Sequence, residues 1–380
     1  MKRSTERILT THTGSLPRPG DLLAMIQARE AGQAVDADAF AARVASAVAE
    51  VVGKQAQAGI DVVSDGEMGK PSFATYVVQR VAGLGGENNE PRTFADRESF
   101  PAWASQLPAG GMQRRYCLAP LEWRGDTDVR TDIRNLASAA AAAGAGEAFM
   151  PAASPGIVAD VMTNRHYPSE EAYLYALADV LREEYRAIAD AGLVLQVDAP
   201  DAALGRHVEF KHRSLEEFRR SLALRIEVLN HALAGIPEEQ VRFHVCWGNY
   251  EGPHTHDVAL RDIVDLVLMV RAGAYSIEAA NPRHAHEWRV WEDVQLPDGK
   301  LLIPGVIDST TNFVEHPEVV AQRIEQFAGV VGRENVIAGT DCGFGTSAGS
   351  ARVHPEIVWA KLAALAEGAR VASGRLWGDD

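Results

Sequence analysis

Leu193-Val194-Leu195-Gln196-Val197-Asp198-Ala199-Pro200 and Val241-Arg242-Phe243-His244-Val245-Cys246-Trp247-Gly248 flank a stretch at 214–233 rich in Leu, Glu and Arg. The two flanking runs are short, carry β-branched and apolar residues, and end in polar ones. The stretch between them has helical spacing. Strand, helix and strand in this order read as a right-handed crossover joining two parallel strands.

The same alternation extends in both directions. Further β-rich runs lie at 8–15, 59–67, 148–155, 274–280, 301–308 and 335–343. Helix-like stretches lie at 37–57, 169–191, 257–272 and 317–331, with 355–369 closing the series. Eight strands with interleaved helices are most economically a single (β/α)8 TIM-type barrel spanning 1–380, with a doubly wound sheet as the alternative. The rhythm breaks at 81–128, rich in Gly, Pro and charge. That span is too long for a bare connection and reads as an insertion after the second strand. The alanine run at 132–144 reads as a surface helix.

The chain has 380 residues, 46% of them apolar, and a formal net charge of −15. Such an acidic balance argues against nucleic acid or an anionic membrane as partner. With no apolar run long enough to span a bilayer and no signal-peptide pattern, a cytoplasmic location is expected. The three cysteines, Cys117, Cys246 and Cys342, are too few and too scattered for a disulfide framework. Nothing in the sequence specifies an oligomeric state.

A barrel places its active site at the carboxyl ends of its strands. Those ends carry His12, Thr13 and Ser15; Asp65 and Glu67; Ser154; Asp198; His244 and Cys246; Glu278; Asp308; and Asp341 and Cys342. His244 and Cys246 stand two apart on one strand and therefore share a face. Glu278 ends the next strand and Cys342 the last. One imidazole, two thiolates and a carboxylate form a tetrahedral set suited to zinc. That centre is anionic, a poor generator of hydroxide but able to keep a substrate thiol as thiolate. Such a thiolate stays nucleophilic, as alkyl transfer to sulfur requires. Cys117 lies in the insertion, outside the series of strand ends, and is not expected to be a ligand.

From Thr10-Thr11-His12-Thr13-Gly14-Ser15 to Asp341-Cys342-Gly343 the chain resembles the catalytic barrel of the cobalamin-independent methionine synthase family. The family's zinc ligands correspond to His244, Cys246, Glu278 and Cys342. The resemblance also implies an amino-acid pocket. Ser15, in Gly14-Ser15, would meet a substrate carboxylate. Glu67, in Gly66-Glu67, and Asp198, in Gln196-Val197-Asp198, suit an ammonium group, and Asn249 fits the family pattern. The function so implied is zinc-dependent methyl transfer to an amino-acid thiol such as homocysteine.

Two departures bear on the methyl donor. The longer family members have a duplicated barrel, and this chain has one. The family also has a histidine two residues after the aspartate of its seventh strand, where this chain reads Asp308-Ser309-Thr310. Transfer from a folate needs an acid for the leaving nitrogen. Asp308, with His254 and His256 in the loop after Cys246, is the candidate acid–base set. The donor is then a methylated folate, a methylcorrinoid carrier or, as in the related epoxyalkane:coenzyme M transferases, an epoxide. A zinc-storing protein without turnover would have no need of acids around an open barrel mouth.

Overall fold

The computed structural model describes residues 1–107 and 112–378, so residues 108–111 of the expected insertion and 379–380 lie outside the described residues. Two sheets are formed by β1 (Leu9–Thr10), β2 (Val62–Val63), β3 (Val81–Gly85), β4 (Arg115–Trp123), β5 (Glu147–Ala153), β6 (Met162–Asn164), β7 (Val194–Asp198), β8 (Val241–Val245), β9 (Ala274–Ile277), β10 (Leu301–Ile307) and β11 (Ile337–Thr340). Eight of them run β2-β5-β7-β8-β9-β10-β11-β1, every neighbouring pair parallel. Each of the eight β-rich runs supplies one of these strands. A closing barrel, not a doubly wound sheet, is the result.

β1 and β2 are only two residues long, and Asp61 substitutes for a ladder between them. Its backbone N–H donates to the Thr10 carbonyl at 3.1 Å, and its carboxylate accepts from the Thr10 N–H at 2.9 Å. Thr11 Oγ1 then donates to the Val62 carbonyl at 3.1 Å. These bonds draw the two edges together where regular pairing fails.

Along β8, Val241, Phe243 and Val245 pack outward into the main apolar core. Arg242, between them, points into the barrel and is fully surrounded: it donates to Gln196 Oε1 at 2.6 Å, Thr11 Oγ1 at 3.0 Å and the His12 carbonyl at 2.6 Å. This is the period-2 alternation of a strand with one face on helices and one on the barrel axis.

The outer helices Ala37–Gln57, Asp126–Ala143, Glu170–Asp190, Leu215–Ala232, Pro317–Val331 and Pro355–Trp377 follow the expected stretches, the last running eight residues further than 369. The expected helix at 257–272 is not formed. A 3-10 turn at Leu260–Asp262 and one helical turn at Val264–Val267 replace it. Val258, Leu260, Ile263, Val264, Val267, Val270 and Ala272 are buried while Arg261, Asp265, Met269 and Arg271 are exposed, so the segment keeps the two-faced pattern behind the expectation without forming a continuous helix. Two backbone groups at its start are taken by side chains: Trp247 Nε1 donates to the Val258 carbonyl and Glu287 accepts from the Leu260 N–H. The rest of the segment is held mostly by short backbone turns.

The insertion forms a second, three-stranded sheet. β3 pairs antiparallel with β4, and β4 pairs parallel with β6, which follows the third barrel strand. Residues 126–128, read as the end of the insertion, are the first turn of the helix Asp126–Ala143. Among the described residues no helix is long and apolar enough to cross a membrane.

Arg80 ties the insertion to the barrel. It pairs with Glu184 and Asp132, and Tyr76 donates to the same Glu184 at 2.9 Å. Removing one partner of a buried ion pair leaves an uncompensated charge and costs about 3–5 kcal/mol. Arg80→Met is expected to lower the unfolding free energy, read from a urea titration, by an amount in that range, with the midpoint falling in proportion. A midpoint equal to wild type would show that the pair does not anchor the insertion.

Candidate metal centre

The ladder register sets the site. Asp198 on β7 is level with His244 on β8, and His244 is level with Ser276 on β9. Three inward side chains from adjacent strands thus stand side by side at one height in the barrel. Two residues further on, Cys246 and Glu278 rise above this level.

The ligand atoms of His244, Cys246 and Cys342 lie within 4.8 Å of one another, and all three residues are buried. His244 Nδ1 is 3.2 Å from Ser276 Oγ, which leaves Nε2 towards Cys342 Sγ at 3.7 Å. Cys246 Sγ and Cys342 Sγ are 2.9 Å apart and unbonded to each other. Glu278 stands beside this trio, with Oε1 3.4 Å from Cys342 Sγ. Its oxygens also accept from the Trp247 N–H at 2.9 Å and from Asn281 Nδ2 at 2.8 Å.

A supporting shell fixes the loops that carry these groups. The Asp341 carboxylate accepts from the N–H groups of Ala279, Ala280 and Asn281, all at 2.8 Å, and so pins the chain after Glu278. Ser309 Oγ accepts from the Cys342 N–H at 3.1 Å and donates to Asn249 Oδ1 at 3.0 Å, while Asn249 Nδ2 donates to the Gly343 carbonyl at 2.7 Å. Asn249, expected to meet substrate, therefore lines the cavity with its amide already engaged by the β10 and β11 loops. Gly343 is required: a Cβ there would come within 2.1 Å of Ser15 Oγ.

The electrostatics fit a bound cation. Burial, with Arg242 adding, pushes His244 down to about 3, so the imidazole is neutral, as a metal ligand must be. The hydrogen bond with Cys342 lowers Cys246, but burial and the Glu278 charge outweigh it and push this thiol up to about 11. Burial and the neighbouring Cys246 hold Cys342 well above the ordinary thiol range. A buried imidazole and two buried thiols beside a carboxylate are borderline-soft donors matched to a divalent transition ion.

The same cavity, about 850 Å³, reaches Thr13, Ser15, Glu67 and Asp198. Burial raises Glu67, and burial with the Glu67 charge raises Asp198 well above the carboxylate range. Glu67 Oε2 is buried without a hydrogen-bond partner among the described residues. The backbone at Glu67 is left-handed, at φ 57°, and Arg18 donates to its carbonyl at 2.9 Å, holding this strained turn in place.

The three acid–base candidates do not line the cavity. Both nitrogens of His254 are engaged, Nδ1 by Asp257 at 2.9 Å and Nε2 by the Tyr250 carbonyl at 2.9 Å. His256 is exposed and lies 2.7 Å from Ser99 Oγ. The Asp308 carboxylate is filled by the N–H and hydroxyl groups of Thr310 and Thr311. All three thus have hydrogen-bond partners away from the cavity lining. His284 bridges Asp257 and Glu287 at 2.9 and 2.7 Å and lies tilted against Trp247, ring centres 4.2 Å apart. Ser276 and Ser309 carry no motif of their own, although Ser276 stands two before Glu278 in one strand run and so shares its face.

A parallel barrel with a thiol–imidazole cluster at its carboxyl-end mouth defines a candidate metal-centred barrel enzyme. The chain belongs to the cobalamin-independent synthase family, whose catalytic domain matches residues 155–363, a family of methionine-synthase-like methyltransferases. A methionine synthase of Thermococcus kodakarensis is 25% identical over 344 residues, 88% of this chain and 86% of that protein. One from Saccharolobus islandicus is 22% identical over 370 residues, 97% and 95% of the two chains. The fold matches the B12-independent methionine synthase of Shewanella sp. W3-18-1, at a TM-score of 0.73, 20% identity, and coverage of 97% and 99%.

Metal analysis tests the centre. The protein is expected to bind about one divalent ion per chain, with severe loss in Cys246→Ser and Cys342→Ser, because the remaining donors cannot complete a tetrahedron. Cys117→Ala, whose thiol is buried between β4 and the helices, should keep full metal content. Normal content in both ligand variants would refute the centre.

Proposed function

We propose that this chain is a zinc-dependent S-methyltransferase acting on an amino-acid thiol such as homocysteine. The observation that carries the reading is the shared cavity: the His244–Cys246–Cys342 cluster and the buried acids Glu67 and Asp198 open onto one space. His244, Cys246 and Cys342 would hold the zinc, with Glu278 as the fourth donor. Zinc bound there would lower the pKa of a substrate thiol so that it is a thiolate at neutral pH.

The chain's own residues orient the amino acid. Glu67, with its unpartnered oxygen, and Asp198 receive the ammonium group, whose charge offsets their mutual repulsion. Ser15 Oγ, which accepts from the Gly345 N–H at 3.2 Å, turns its hydroxyl to the carboxylate. Gln196 Nε2 donates to Asp198 Oδ1 at 2.7 Å and is itself fixed by Arg242, so the acid is preorganised from beneath. The Shewanella structure is a complex with selenomethionine, an amino acid with a methylated chalcogen, which supports this pocket reading.

The absence of the family histidine at Thr310 favours a second reading, thiol alkylation by an epoxide with coenzyme M. Glu67 and Asp198 weigh against it, since paired carboxylates repel a sulfonate. Charge-assisted hydrogen bonds contribute roughly 1.5–3 kcal/mol each. Asp198→Asn should therefore weaken homocysteine binding about ten-fold or more. Calorimetric titration of both thiols into wild type and variant decides the matter. Tight coenzyme M binding by wild type, with homocysteine ignored, would replace the first reading by the second.

A further inference from the structure

Leu16-Pro17-Arg18-Pro19 follows Ser15 at the barrel mouth. Pro17 fixes its own φ and Pro19 confines Arg18 to extended backbone, so the side chain starts from a stiff stem. Its guanidinium reaches two other loops. Nη1 donates to the Gly345 carbonyl at 2.7 Å, and Nη2 donates to the carbonyls of Glu67 and Lys70, both at 2.9 Å. Among the described residues these three carbonyls are its only hydrogen-bond partners, and its Nε is buried with none. Burial pulls Arg18 below the ordinary arginine range, against the opposing pull of the Glu67 and Asp65 charges. Here, then, a charged planar fork is committed wholly to holding backbone.

The two loops it joins carry the two ends of the cavity floor. One is the turn 65–70, where Gly66 and Glu67 are both left-handed, at φ 62° and 57°, and Glu67 lines the cavity. The other follows Cys342, which lines the same cavity. Both peptide groups of Gly345, three residues after Cys342, are tied to the stem: Ser15 Oγ accepts from its N–H at 3.2 Å, and Arg18 takes its carbonyl. Further out the loops also pair directly, Phe73 N–H donating to the Thr346 carbonyl at 3.2 Å and Ala348 N–H to the Pro71 carbonyl at 2.8 Å. Loss of Arg18 would therefore leave the loops attached and free only the register of their inner ends. Burial raises Glu67, and the Lys70 and Arg18 charges oppose it.

We propose that Arg18 is a specificity-determining positioning residue: by bonding to the Glu67 turn and to the loop behind Cys342 together, it fixes the distance from the ammonium-binding acid to the thiol-binding cluster and so selects amino-acid thiols by chain length. This rests on the amino-acid thiol reading above. Homocysteine and cysteine share their ammonium, carboxylate and thiol and differ by one methylene between the α-carbon and sulfur. With both ends of the floor held, one of the two lengths satisfies ammonium and sulfur at once. With the ends free to shift, either does. Lysine has the charge of arginine without the planar fork, so it cannot bridge both loops in the same way.

The test is calorimetric titration of homocysteine and cysteine into metal-loaded wild type, Arg18→Lys and Arg18→Ala. Wild type is expected to favour homocysteine by about ten-fold or more, the size of a one-methylene discrimination. Both variants should keep full metal content, since no donor to the centre is altered. Both should lose most of the preference, with homocysteine weakened about ten-fold and cysteine changed by less than about two-fold. Arg18→Lys, the milder change, carries the test where Arg18→Ala fails to fold. General loosening of the fold would weaken both thiols alike, and an unchanged ratio in the variants overturns the proposal. A wild-type ratio in Arg18→Lys alone overturns it too, because charge and not the bridge would then set the selectivity. Loss of metal in the variants would make Arg18 a support of the metal centre and overturn the assignment as well. Equal binding of the two thiols by wild type sinks the length role alone. Wild type that binds neither thiol sinks the amino-acid reading, and this assignment with it.

Discussion

Burying negative charge is the constraint around which the barrel mouth is arranged. Cys246, Cys342, Glu278, Asp341, Glu67 and Asp198 all lie out of solvent on one rim, and burial raises the pKa of every one. A set of like groups so placed is unfavourable unless cations reach it. Part of the compensation is built in: Arg242 and Lys70 approach Asp198, and backbone N–H groups fill the Asp341 carboxylate. The rest is left open at two points, the thiol–imidazole cluster and the free oxygen of Glu67. Those two openings match a divalent ion and an ammonium group, which is why the metal and the amino acid belong to one account.

The order of the barrel was legible because nearly every strand run ends in polar residues and all but 274–280 are followed by a helix-like stretch before the next run. The metal cluster was legible for a related reason: His244 and Cys246 are two apart, and a strand turns that spacing into a shared face. What the sequence hid depends on three-dimensional closure. The edge between β1 and β2 is made by the Asp61 side chain, not by a strand pattern. The 257–272 segment has helical composition, yet Trp247 takes the Val258 carbonyl and Glu287 the Leu260 N–H, so the helical ladder is broken at its start by side chains distant in sequence.

The acid–base candidates show the same effect of closure. A histidine in a loop beside the site looks available in one dimension, but His254 has both nitrogens committed and helps set the Tyr250 turn. Together with His284, Asp257 and Glu287 it forms a buried chain of alternating charge behind Trp247. Burial lowers His284, yet Asp257 and Glu287 prevail and hold it up to about 10, so it stays cationic at neutral pH. This network stiffens the loop that carries Tyr250 and Glu251 along the cavity.

The central claim is that the floor of the cavity captures an amino-acid thiol in its thiolate form. Calorimetry of homocysteine binding to zinc-loaded protein at pH 7, in buffers of different ionisation enthalpy, measures this directly. The account predicts that homocysteine releases about one proton more than homoserine, which keeps the ammonium and carboxylate but lacks sulfur, because a free thiol is mostly protonated at that pH and a metal ligand must be deprotonated. Homocysteine binding that releases no more protons than homoserine binding would contradict the account.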